Sequence, residues 1–132
     1  MTSPVPAPWA PCPCGSGAAY DACCGPLHDG EPAATAAALM RSRYAAYALG
    51  RVDYLFRTWH PRTRPADVAP QPGLVWTGLE ILGTVAGGAG DDTGQVEFRA
   101  RYLTADGEHR LHETSRFERR GGRWVYVDGD VT

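Results

Sequence analysis

The sequence predicts an α+β fold, with two helices laid across one face of a curved antiparallel sheet and a small cysteine-rich knuckle in front of them. Three observations carry that expectation. Residues 33–49 contain no glycine or proline and repeat apolar side chains at three- and four-residue steps, the period of a helix. After Leu74 the period changes to two, in segments separated by Gly- and Asp-containing turns. The four cysteines of the chain all fall between Cys12 and Cys24, in a stretch too poor in large apolar residues to fold by burial alone.

Residues 1–11, with Pro4, Pro6, Pro8 and Pro11, predict a flexible or extended leader, because proline interrupts both helix and ladder hydrogen bonds. Trp9 is expected to tuck against the knuckle of residues 12–30, and a main domain is expected over 31–132. Pro32 suits the first turn of a helix that runs over 33–49 and stops at Gly50. Its buried stripe is expected to be Ala36, Met40, Tyr44, Tyr47 and Ala48, with Arg43 alongside. Asp53 is placed as the cap of a second helix over 54–59, which Pro61 must end. Strands are expected over 74–85, with a bulge or bend at Gly78, over 95–103, over 109–120 and over 123–130. The tract GGAGDDTG at 87–94 reads as a mobile hairpin turn; Asp106-Gly107 and Gly121-Gly122 turn the chain again.

The cysteines form a C-x-C pair, eight intervening residues and an adjacent pair. Cys12, Cys14, Cys23 and Cys24 match the sulfur shell of a structural Zn²⁺ site, and metal binding supplies folding free energy that so short a segment lacks. Two other readings account for the same residues. A disulfide framework needs an oxidising compartment, and no charged segment followed by an apolar one opens the chain. A redox pair is the third reading, without the usual C-x-x-C spacing. Backbone N–H groups of Gly15, Ser16 and Gly17 are placed to spread the sulfur charge.

Strand parity singles out a second constellation. His109, Leu111, Glu113, Ser115 and Phe117 share one face of their strand, and Trp124, Tyr126 and Asp128 share one face of the next. If Phe117 and Trp124 face the helices, Glu113 and Asp128 turn inward with them, and buried carboxylates require partners. The candidate cluster is therefore Arg43, Tyr44, Glu113, Ser115, Tyr126 and Asp128, with His60 on the Pro-bounded loop TWHPRTRP as a further donor. It reads either as a structural hydrogen-bonded network or as a ligand pocket.

CPCGSG, six residues and then CCG resemble the SEC-C motif, a zinc-binding module found in the SecA translocation ATPase and in many bacterial proteins. The resemblance implies Cys12, Cys14, Cys23 and Cys24 as the zinc ligands, with Cys24 where the SecA version carries histidine. The spacer Ala18, Ala19, Tyr20, Asp21, Ala22 lacks the usual lysines, which removes an attraction to phosphates. LMRSRYAAY, TWHPRTRP, ETSRF and WVYVDG, in that order, resemble the YchJ family of uncharacterised bacterial proteins. That resemblance implies a nuclear transport factor 2-like domain, a cone-shaped bent antiparallel sheet wrapped on helices.

The net charge of −2 draws the chain neither to nucleic acid nor to a membrane, and every basic residue is arginine. No apolar run approaches the ~18 residues of a membrane span, so a cytoplasmic protein is expected. The favoured function is a zinc-stabilised binding or adaptor protein, with the knuckle meeting a protein partner; a homodimer is compatible with the fold. The alternative is a small-molecule binder or enzyme using the cone interior. In that case Glu113 or Asp128 is the base and His60 or Tyr126 the donor. Nucleic-acid binding through the arginines of the outer sheet face is disfavoured by Glu97, Glu118 and Asp106 interleaved among them.

Overall fold

A computed structural model describes residues 7–68 and 72–132 of the chain. Residues 1–6, the first part of the proline-rich leader, lie outside the described residues. A single 3₁₀ turn at Tyr20–Ala22 leads into α1 (Cys24–His28), followed by α2 (Ala36–Leu49) and α3 (Val52–Arg57). Four strands complete the chain: β1 (Val75–Ala86), β2 (Thr93–Thr104), β3 (Gly107–Arg120) and β4 (Arg123–Val131). They pair antiparallel in the order β1-β2-β3-β4, a meander with α2 packed across one face.

This sheet corrects the cone. It is open, neither closed nor strongly curled, with β1 and β4 as its two edges. The physical reason lies in the register. The central β2–β3 ladder runs unbroken from Thr93↔Glu118 to Thr104↔Gly107. All three irregularities fall in the edge strands, where Thr77, Leu82 and Val127 are the extra residues. Bulges bend a strand locally, and none lies where it would curl the sheet as a whole. The bulge at Thr77 adjoins Gly78, as the sequence predicts.

α2 starts three residues later than expected. Thr35 is its N-cap, its Oγ1 accepting from the Ala38 N–H at 3.1 Å, so Pro32 precedes the helix. Gly50 closes it in the left-handed conformation, φ 72°. The buried surface is wider than one stripe. Ala36, Met40 and Tyr44 are buried as expected, but so are Leu39, Ser42, Arg43 and Ala46, whereas Tyr47 is 37% exposed and Ala48 is exposed. The helix is covered twice, by the sheet on one side and by α1 and α3 on the other. Fully burying a leucine or phenylalanine contributes about 1.5–3 kcal/mol, and Leu39, Leu55 and Phe117 are all buried here.

Asp53 sits inside the first turn of α3 rather than capping it; Arg51 takes the cap position with no side-chain bond. The 87–92 turn is pinned. Arg119 donates to the carbonyls of Asp91 and Ala89, and the Ala36 N–H donates to the Gly87 carbonyl at 2.9 Å. A side chain at Gly94 would stand 2.5 Å from the Gly87 Cα, which is why two glycines face each other across this hairpin. The edge of β4 is partly covered as well: the Tyr126 N–H donates to the Thr58 carbonyl and the His60 N–H to the Tyr126 carbonyl.

Candidate metal centre and cleft

The knuckle is one body with the main core. Cys12, Cys14, Tyr20 and Cys24 belong to the same buried cluster as Leu39, Tyr44, Leu55 and Trp124. The end of the leader is pinned rather than flexible, with the Tyr20 N–H donating to the Ala10 carbonyl and the Asp21 N–H to that of Pro8. Trp9, expected to tuck in, is 79% exposed.

All four thiols are free, and their sulfurs lie within 4.8 Å of one another. Cys14 and Cys23 are 3.5 Å apart and Cys23 and Cys24 3.9 Å. A tetrahedral ion with metal–sulfur bonds of about 2.3 Å separates its ligands by about 3.8 Å, so this donor set is positioned to coordinate a metal ion. The thiols also perturb one another. Hydrogen bonds from Cys12 and Cys24 hold the Cys14 thiol well below its ordinary range. Bonding to Cys14 pushes Cys12 up to about 11, and bonds to Cys12 and Cys14 raise Cys24 further. Without a positive ion the four cannot all be thiolates.

The local backbone explains the motif's small residues. The Ser16 hydroxyl accepts from the Ala18 N–H at 3.2 Å. The Ser16 hydroxyl lies 3.1 Å from the Cys23 sulfur, while the Gly15 N–H closes a turn onto the Cys12 carbonyl instead of bonding sulfur. A side chain at Gly25 would meet the Tyr20 carbonyl at 2.8 Å, so glycine must follow the cysteine pair.

A buried polar chain that the sequence did not disclose locks the knuckle to the helices. His28 Nε2 donates to the Ser42 carbonyl at 2.9 Å, which fixes the tautomer and leaves Nδ1 to accept from the Tyr20 hydroxyl at 2.6 Å. The Tyr54 hydroxyl in turn donates to Ser42 Oγ at 2.7 Å, that oxygen donating to the Leu39 carbonyl. Burial is the main cause holding the His28 pKa below its ordinary value. The only sequence signal was a histidine just beyond the CCG.

The second constellation is partly assembled. A cleft of about 270 Å³ lies between α2 and the sheet, and Arg43, Tyr44, Glu113, Ser115 and Tyr126 all line it, with Trp59 and Trp76. Ser115 Oγ donates to Glu113 Oε2 at 2.6 Å and the Tyr126 hydroxyl to the same oxygen at 3.5 Å. Burial, followed by the Glu113 charge, raises the Tyr126 pKa, so its hydroxyl stays a donor. Arg43 is 3% exposed and has no carboxylate partner among the described residues. It donates to Thr58 Oγ1 at 2.8 Å and to the Leu55 carbonyl at 3.0 Å. Its guanidinium carbon stands 4.7 Å from the centre of the Tyr126 ring and 4.9 Å from that of Trp59.

Asp128 and His60 are elsewhere. The extra residue Val127 reverses the parity of β4, so Asp128 faces outward and pairs with Arg116, as does Asp130. Gly129 takes the inner position, where an added side chain would stand 2.3 Å from Glu113 Oε2. His60 turns away to Glu118, 3.5 Å from its Nε2.

Comparison with known proteins places these features in context. The SEC-C motif matches residues 10–26, and the family described as "YchJ, middle NTF2-like domain" matches residues 35–129. A UPF0225 protein of Streptomyces coelicolor is 56% identical over 124 residues, covering 93% of this chain and 97% of its own. One from Deinococcus radiodurans is 52% identical, with 92% and 89% covered. The solution structure of a SEC-C motif containing protein from Rhodopseudomonas palustris superposes with a TM-score of 0.82 at 40% identity, covering 93% of this chain and 99% of its own. A crystal structure of a SEC-C motif containing protein from Psychrobacter arcticus gives a TM-score of 0.75 at 30% identity, over 92% and 82%.

Proposed function

The chain belongs to the YchJ-like (UPF0225) family of uncharacterised bacterial proteins carrying a SEC-C motif, and from that premise we propose that it is a zinc-stabilised binding protein. The observation that carries this reading is the buried set of four sulfurs within 4.8 Å of one another. Four thiolates favour Zn²⁺, which takes a closed tetrahedral sulfur shell and has no redox chemistry of its own. The ion neutralises charge that the buried thiolates otherwise could not carry together, and so holds residues 10–28 against α2. Its role is structural. The exposed indole of Trp9 is the knuckle's contact for a protein partner, since an aromatic anchor left in water beside an ordered turn is a common centre of binding energy. Metal analysis of the purified chain tests the reading, with one zinc per chain in the native protein and none in Cys14→Ser.

A second reading, small-ligand binding in the cleft between α2 and the sheet, is favoured by Arg43. A buried guanidinium without a counterion among the described residues, beside an open, aromatic-walled cleft, suits a ligand carboxylate. General-base catalysis is less well supported, because Glu113 Oε2 already accepts from Ser115 and Tyr126, and Asp128 and His60 lie outside the cleft. No helix among the described residues is long and apolar enough to cross a membrane.

A further inference from the structure

On the sheet's outer face Arg99 pairs with Glu80 and Arg116 with Asp128 and Asp130, while Arg101 and Arg110 lie opposite each other without an ion pair among the described residues. Arg119, on the Trp124 face, holds the carbonyls of the 88–91 turn. Four further arginines converge on one place. Arg57, Arg64, Arg120 and Arg123 line a single cleft of about 500 Å³ at the seam between the knuckle's exit segment, α3 and the start of β4. None forms an ion pair with a carboxylate among the described residues, and Glu31 is the one acidic residue of the lining. In a chain of net negative charge, this is a local concentration of positive charge in a concave site, where field lines focus and an anion is drawn in.

The cationic heads are also held in place. Arg57 Nη2 donates to the His28 carbonyl at 2.6 Å and Arg123 Nη1 to the Gly30 carbonyl at 3.0 Å, so two of the four take their positions from the knuckle's exit. Arg64 lies with its guanidinium carbon 3.9 Å from the centre of the Phe56 ring. Each guanidinium carries five donors, and one backbone carbonyl leaves most of them free. Trp59 and Trp124 line this cleft, each with a buried Nε1 that has no acceptor among the described residues.

We propose that this cleft binds a small molecule carrying a diphosphate. Several guanidinium forks converging on one concavity match the several charged oxygens of a diphosphate better than a single carboxylate, and planar bidentate contacts to phosphate are what arginine provides. Leu27, Pro32 and Trp124 supply an apolar floor for whatever the diphosphate carries. The site is distinct from the Arg43 cleft on the other side of Trp59 and does not depend on the ligand reading of that cleft.

The test uses the full chain and its tryptophan fluorescence, two of the four indoles lying in the wall. Inorganic pyrophosphate is expected to give saturable binding, at least ~10-fold tighter than orthophosphate. The Arg120→Gln/Arg123→Gln variant, altered only at exposed side chains, is expected to weaken pyrophosphate binding ~10-fold or more with its thermal unfolding unchanged. Arg99→Gln, on the paired outer face, is expected to bind as the parent does. An ADP arm separates the sources: binding tighter than pyrophosphate identifies a nucleotide, equal binding identifies the diphosphate itself, and either supports the site. Absence of saturable binding overturns the proposal, as does equal weakening by Arg99→Gln. A short single-stranded RNA that binds and is not displaced by pyrophosphate overturns it too.

Discussion

Gly129→Ala probes the reversal of parity in β4. The backbone at Gly129 does not adopt a positive φ, so alanine meets no intrinsic strain there, and the whole cost comes from one contact. The new methyl would stand 2.3 Å from Glu113 Oε2 and 3.0 Å from its Cγ, so the entire Glu113 side chain must swing away. That breaks its bond from Ser115 at 2.6 Å and the longer one from Tyr126 at 3.5 Å. Hydrogen bonds to a charged group contribute about 1.5–3 kcal/mol each when well formed; counting the Ser115 bond fully and the Tyr126 bond little gives a destabilisation of about 2 kcal/mol. In a Glu113→Ala background the obstruction is gone, and Gly129→Ala is expected to be neutral or mildly stabilising. Denaturant unfolding of the parent, both single variants and the double variant closes the cycle, with a coupling of about 2 kcal/mol expected. Additivity within about 0.5 kcal/mol would refute the placement of Glu113 over Gly129, and with it the bulge at Val127.

Other consequences follow from the seam and the turns. His28 is held neutral, its pKa below the unfolded value of about 6.5, so its contribution to stability is complete above that value and is lost as pH falls and the unfolded chain takes up the proton. The stability gap between the parent and His28→Phe, measured by thermal unfolding, is therefore expected to narrow from pH 7.5 to about 5.5; a gap that widens on acidification contradicts the assigned tautomer. Gly25→Ala drives a methyl against the Tyr20 carbonyl and is expected to loosen the knuckle by roughly 1–3 kcal/mol, seen as faster amide exchange over residues 12–28 with the β2–β3 ladder still protected. Arg119→Ala removes the donors that hold the 88–91 turn and is expected to speed amide exchange there while leaving α2 protected; unchanged exchange would show that the turn holds itself.

The local chemistry of this chain was legible in its sequence, and its long-range geometry was not. Four cysteines at C-x-C and C-C spacing could be read as one ligand set because the signal is local, and the period-two segments marked all four strands. The bulge beside Gly78 carried a residue that announces it; the one at Val127 carries none, and a one-residue slip moved Asp128 to the outer face and put Gly129 beneath Glu113. Arg43 was expected alongside the buried stripe and in the polar cluster, and its guanidinium meets a carbonyl, a hydroxyl and two aromatic rings, partners contributed by segments distant in sequence. The second buried face of α2 followed from the knuckle folding back onto it through Tyr20 and His28, a contact no periodicity encodes. A curved sheet was inferred from the order of the elements and the cone from family likeness, whereas in this sheet the bulges fall only in the edge strands.

We propose above all that a metal ion organises the cysteine knuckle. Elemental analysis of the native chain, with thiol titration before and after chelation, tests it directly. One zinc per chain is expected, with four thiols that react only once the ion is removed. A metal-free protein whose four cysteines are paired as disulfides would contradict it.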